Sequence, residues 1–148
     1  MEKIDSIERE ITVAGPIDRV WRALTEADQL AQWFGDSAEL ELEPGGAFRV
    51  GWSGYDSIVE GVVETVDYPA LFSYRWEAGT TDDGTVWTTR VTFALEESSH
   101  GATTVKVVET GFSKLPDELY GTCFEENSSG WAAEMTDLQR HLETVAAP

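Results

Sequence analysis

One cysteine, Cys123, stands in 148 residues, so no disulfide can form within the chain. That usage agrees with a reducing compartment, and a cytoplasmic protein is the expectation. Cys123 also has no His or other base beside it in sequence, which makes it a passive, partly buried thiol rather than a nucleophile. Basic residues are scarce. Lysine occurs only at positions 3, 106 and 114, and ten Lys and Arg face 28 Asp and Glu, for a net charge of −18. Phosphate backbones and anionic lipid surfaces repel such a chain, which argues against nucleic acid and membrane as partners. The acid is spread along the chain rather than gathered in a tail, as in a solvated surface or an adaptation to high salt.

Long apolar runs are missing too. None approaches the roughly 20 residues that cross a bilayer, and Met1-Glu-Lys-Ile-Asp5 lacks the basic-then-apolar layout of a secretory signal. Of two histidines, His100 falls in the turn Ser98 to Gly101 and His141 on the flank of a helix, each without a catalytic partner. No CxxC or HExxH spacing occurs and no glycine-rich phosphate loop follows a strand, so neither a metal nor a cofactor is expected.

What is present is patterned. A composition of 41% hydrophobic and 26% charged residues suits one soluble domain over residues 1–148, large enough for its own core. Near the end, Trp131, Met135, Leu138, Leu142 and Val145 are spaced four, three, four and three apart, which is one stripe of an α-helix. Thr136, Asp137, Arg140 and Glu143 supply its wet side. Such a helix must lay its dry side on a broad apolar surface. The rest of the chain offers one, because Ile58 to Phe112 reads almost entirely as β-strand. The fold class expected is α+β: a strongly curved antiparallel sheet wrapped around a long carboxy-terminal helix, with a cavity between them.

Taken in order, Ile4 to Val13 alternates as a strand that places Ile7, Arg9, Ile11 and Val13 on one face. Gly15-Pro16 breaks it, and two short helices follow. The first carries Ile17, Val20, Trp21 and Leu24; the second runs Glu26 to Trp33 with Thr25 as its cap and Gly35 as its stop. Pro44-Gly45-Gly46 makes a tight hairpin, and Trp52-Ser-Gly-Tyr55 connects to a strand, Ile58 to Val66. On that strand Val59, Gly61, Val63 and Thr65 should face the helix, with Gly61 marking a bulge or a close approach. Phe72, Tyr74 and Trp76 then form one inward row, and Trp87, Thr89, Val91, Phe93 and Leu95 the next. Val105, Val107 and Glu109 are the last. Ser113 to Ser129 is least decisive, since Gly121 and Gly130 weaken the helical pattern; an irregular turn or mobile lid is expected there, then a helix from about Trp131.

Several of these stretches resemble one known family. Pro16-Ile-Asp-Arg-Val-Trp-Arg-Ala-Leu-Thr25 and Leu30-Ala-Gln-Trp-Phe34 are similar to the opening helix pair of the SRPBCC (START-like) superfamily, and within it to homologues of the activator of heat-shock-protein-90 ATPase. Leu42-Glu-Pro-Gly-Gly-Ala-Phe48 resembles that family's Pro-Gly-Gly turn. Gly61 to Val66, Leu71 to Trp76, Val91 to Leu95, Gly111-Phe112 and Gly130-Trp131 continue the match over nearly the whole chain. The resemblance implies the helix-grip (START-like, Bet v-like) fold and a pocket between sheet and helix. It says less about activity, because one fold hosts many functions.

Counting inward rows gives a wall of Phe72, Tyr74, Trp76, Trp87, Phe93 and Val107, roofed by Trp131, Met135 and Leu138, with Trp52, Tyr55 and Phe124 as further candidate contacts. Such a wall suits a lipid-like or aromatic ligand. Arg9 and Glu109 both fall on the apolar side, and the resembled fold makes their strands neighbours, so a salt bridge facing the cavity is expected. That pair has three readings: a structural ion pair, an anchor for a polar head group, or a catalytic pair with Glu109 as general base. Binding or carriage of a small hydrophobic molecule without chemistry ranks first. A co-chaperone role with a chaperone partner, implied by the resemblance, ranks second, although the eukaryotic activators resembled add a separate amino-terminal chaperone-binding domain. A cyclase or aromatase ranks third. Monomer and homodimer both stay open, the latter through an exposed edge strand.

Overall fold

The computed structural model describes residues 2–55 and 57–146; the side chains of Tyr55 and Val145, both singled out above, lie outside the described residues. Seven strands form one antiparallel sheet in the order β1-β7-β6-β5-β4-β3-β2. They are β1 (Ser6–Ala14), β2 (Ser37–Leu40), β3 (Ala47–Trp52), β4 (Ser57–Asp67), β5 (Leu71–Thr80), β6 (Val86–Glu97) and β7 (Ala102–Thr110). Between β1 and β2 lie two short helices, α1 (Ile17–Thr25) and α2 (Ala27–Trp33). The chain closes with α3 (Asp117–Ala146), whose dry side rests on the sheet. This is the helix-grip arrangement.

Alternation explains most of the core. Phe72, Tyr74 and Trp76 on β5, Thr89, Val91, Phe93 and Leu95 on β6, and Thr103, Val105, Val107 and Glu109 on β7 are all buried. Trp131, Met135, Leu138 and Leu142 of α3 are buried against them. On β4 the phase slips. A register shift between Val63 and Thr65 lets Val66, not Thr65, pack on the core. Gly61 marks a close approach rather than the bulge, because a Cβ there would sit 2.4 Å from the Arg75 carbonyl oxygen.

Three expectations about termini need correction. The first strand starts at Ser6, not Ile4. Thr25 does not cap α2: it ends α1, its hydroxyl donating back to the Trp21 carbonyl, and Glu26 takes the cap position without a side-chain bond. The largest change is in α3, which starts at Asp117 and runs 30 residues through both glycines. Pro116 precedes its first turn, and Asp117 and Glu118 lie where the helix dipole favours negative charge. Tertiary contact outweighs the propensity cost of each glycine, roughly 1 kcal/mol.

Gly121 meets nothing within 4 Å of an added Cβ. Gly121→Ala is therefore expected to stabilise the protein by about 0.5–1 kcal/mol, raising the thermal midpoint by a few degrees. A lower midpoint in calorimetry would show that this turn of α3 is not held as a helix in solution.

Candidate functional site

On the buried face of the sheet sits a carboxylate with no cationic partner among the described residues. Glu109, the penultimate residue of β7, is fully buried. Its Oε1 accepts from Trp131 Nε1 at 2.7 Å, and its Oε2 from Trp76 Nε1 at 3.0 Å and from the Thr89 hydroxyl. Asn127 Nδ2 lies 3.0 Å from both oxygens. Indole and amide N–H groups can only donate, so this shell is built to hold an acceptor-only, ionised carboxylate. Sheet register accounts for the gathering: Glu109 stands opposite Val91, Thr89 is two residues along on the same face, and Thr89 stands opposite Trp76. Asn127 and Trp131 are four apart on α3 and share the stripe that continues through Met135.

Arg9 is not Glu109's partner. Cross-strand pairing sets Arg9 opposite Val107 and Ile7 opposite Glu109. The Arg9 guanidinium donates instead to the Ser128 carbonyl at 2.9 Å, the Ser128 hydroxyl at 2.8 Å and the Glu8 carbonyl. Among the described residues it forms no ion pair, and the expected cavity-facing salt bridge is overturned. The desolvation of Glu109 is met by four neutral donors in place of one cation.

Three of those donors, Trp76, Asn127 and Trp131, line a cleft of about 970 Å³ between the first half of α3 and β3, β4 and β5. Trp76 and Trp131 line it together with Phe34 and Trp52. Phe34 lies nearly parallel to both Trp76 (centroids 5.8 Å, 14°) and Trp131 (5.4 Å, 16°), and Trp52 meets Phe34 edge-on at 5.4 Å. Val59, Ala78 and Leu119 add apolar surface. Each indole that binds Glu109 thus borders the cleft while its N–H goes to the carboxylate, and its faces are largely covered by Phe34 and the other indole.

Acid dominates the remaining lining. Glu77, Glu118, Glu126 and Glu134 line the cleft, and no Lys, Arg or His does so among the described residues. Glu134 Oε2 is buried without a hydrogen-bond partner, and burial, reinforced by the Asp137 charge, pushes its pKa up to about 8. Cys123 donates weakly to the Ala78 carbonyl at 3.8 Å, and burial with the Glu109 and Glu126 charges pushes its thiol up to about 11. That thiol is inert at neutral pH. Tyr74 has a buried hydroxyl with no partner, held well above the usual phenol range by burial and then by the charges of Glu109 and Glu134. No group of three or more potential metal ligands occurs among the described residues.

The other candidates are placed as follows. Trp52, Trp76 and Trp131 line the cleft. Phe72, Tyr74, Phe93, Val107, Met135 and Leu138 are buried in close-packed core and do not line it. The space assigned to a guest at that end is filled by Trp21 of α1, which meets Phe72 edge-on, and by Phe48 of β3, stacked on Tyr74 at 3.9 Å. Trp87 is half-buried and donates to Thr81 beside the β5–β6 turn. Phe124 packs on Phe112 and Tyr120, and Tyr120 in turn accepts from the backbone N–H of Ile4. Asn127 and Glu134 were missed. Both lie on α3 within four residues of Trp131, so extending its stripe backwards past Gly130 finds Asn127.

No helix among the described residues is long and apolar enough to cross a membrane. None of the curated proteins matches the sequence significantly. Solved structures do share the fold. Protein MLL2253 from Mesorhizobium loti aligns with a TM-score of 0.81 at 19% identity, over 94% of this chain and 97% of that one. An HSP90 activator from Plasmodium falciparum, PFC0360w, gives 0.76 at 20% identity, over 95% and 97%. DynU16, a putative protein in the dynemicin biosynthetic locus, gives 0.76 at 26% identity and covers 95% of this chain, which spans only 48% of DynU16. Residues 14–143 match the model of the family described as activator of Hsp90 ATPase homolog 1-like protein, and the chain belongs to that family.

Proposed function

We propose that this protein binds a small, largely apolar molecule in the cleft between α3 and β3–β5, without transforming it. The observation that carries this reading is the 970 Å³ cleft walled by Phe34, Trp52, Trp76 and Trp131. Its size falls in the range of ligand sites, and two of its rings are locked by Glu109, so the wall exists before a guest arrives. An enzymatic reading has less support. Both oxygens of Glu109 are already engaged, and using it as a general base means breaking that shell.

Gly130 tests the proposal. It lines the cleft, and a Cβ there meets nothing within 4 Å. Gly130→Phe should fill the opening, leave stability unchanged or slightly raised, and weaken calorimetric binding of naphthylmethanol at least roughly tenfold. Equal affinity in variant and parent would mean that ligands do not occupy this cleft.

A second reading, co-chaperone activity, draws on family membership and on the Plasmodium falciparum HSP90 activator of like fold. Stimulation of a chaperone's ATPase by the purified protein is the result this reading requires; no stimulation at micromolar concentration counts against it.

A further inference from the structure

We infer that Asn127 sets the selectivity of the cleft: its side-chain carbonyl accepts from an N–H or O–H of the guest, favouring apolar molecules that carry one such donor over isosteres that lack it. This rests on the cleft being the binding site. Asn127 lies midway along the stretch of α3 that lines the cleft, Glu118 to Glu134, with Cys123 one turn before it and Trp131 one turn after. Glu109 decides which way its amide faces. Nδ2 lies 3.0 Å from both carboxylate oxygens. Turned over, the amide would set Oδ1 against a group that can only accept, so the carbonyl is sent the other way. Nothing donates to Oδ1 among the described residues, where the buried side-chain N and O atoms without a partner are the Tyr74 hydroxyl and Glu134 Oε2. Asn127 Oδ1 is therefore an unused acceptor with open space before it, and the space its residue lines is the cleft.

The same bond makes that acceptor a strong one. A carboxylate drawing on the amide N–H pulls electron density towards the amide oxygen, so the buried charge of Glu109 is felt in the cleft through Asn127. Val59, Ala78 and Leu119 keep the surroundings apolar, which raises the worth of a hydrogen bond made there. Other polar groups on the wall are differently placed. Glu77, Glu118, Glu126 and Thr122 are exposed to water. The Cys123 thiol is spent on the Ala78 carbonyl, and the Ser129 hydroxyl on the Glu125 and Glu126 carbonyls. Asn127 is half-buried, and its orientation is fixed from behind.

Indole and benzofuran test this, because they share one shape and differ by an N–H in place of an oxygen. Water competes for the indole N–H, so a preference for indole requires an acceptor inside the site. By calorimetry the parent protein should bind indole roughly tenfold more tightly than benzofuran. Asn127→Ala should bring that ratio close to one by weakening indole while leaving benzofuran within about twofold. Glu109→Gln frees the amide to turn over and should shrink the ratio as well; it gives the same readout if the alanine variant fails to fold. A ratio near one in the parent, with naphthylmethanol still bound, overturns the inference and leaves the apolar cleft standing. A preference that survives Asn127→Ala, or a loss there that falls equally on both probes, assigns Asn127 a structural role alone and overturns it. An unchanged ratio in Glu109→Gln overturns the claim that Glu109 aims the amide. If neither these probes nor naphthylmethanol bind the parent protein, the proposed function falls and the inference with it.

Discussion

Glu109→Ala should cost the fold about 4 kcal/mol, measured by urea unfolding at neutral pH. Four donors lose their acceptor at once: two indole N–H groups, the Asn127 amide and the Thr89 hydroxyl. Each buried donor left unpaired costs roughly 1–3 kcal/mol, moderated where water enters the space vacated by the carboxylate. Against a total stability of roughly 5–15 kcal/mol, the variant is marginal. Glu109→Gln keeps the shape but turns an amide N–H₂ towards donors, so it should cost less, about 2 kcal/mol. A loss under about 1 kcal/mol for alanine would mean the shell is plastic, and Glu109 would no longer explain why the two tryptophans stand where they do.

Glu134 gives the second large effect, and its sign is opposite to the usual carboxylate. Its folded pKa of about 8 lies above the ordinary glutamate value of 4.5. Between those two values the native state holds a proton that the unfolded chain has released, so this group's contribution falls as pH rises through that window. Glu134→Gln should flatten the slope and stabilise the protein by about 2 kcal/mol at the alkaline end, a figure reduced for partial solvation. His141 works the other way. Burial holds its pKa below 6.5, so its contribution to stability is lost as pH falls into the acid range. Comparing parent and variant cancels that background. Identical pH profiles would show that Glu134 is hydrated in solution.

Much of this architecture was legible because the sheet obeys period two and α3 obeys a helical stripe. Every inward row from β5 to β7 could be read by alternation, down to the charged exception at Glu109. Alternation says which face a side chain takes and nothing about what fills the space in front of it. Phe72, Tyr74 and Phe93 face inward as read, yet Trp21 and Phe48 arrive from α1 and β3 to close that end. The partner of Glu109 was misjudged for a related reason. Residues 9 and 109 share a face of neighbouring strands, but the register offset sends the Arg9 guanidinium to Ser128. Glycine caused the remaining miss, since Gly121 and Gly130 hid the first half of α3, where most of the cleft's polar groups lie.

The tie between Glu109 and two indoles gives the molecule an internal optical reporter. Of six tryptophans, three border the cleft, and two of those have their N–H groups clamped by a negative charge. Excited indole shifts density from its pyrrole nitrogen towards the benzenoid ring, so a fixed charge at the nitrogen sets the emission colour. A guest in the cleft beside them alters the field at the far end, and its arrival is written into the protein's own fluorescence without any label.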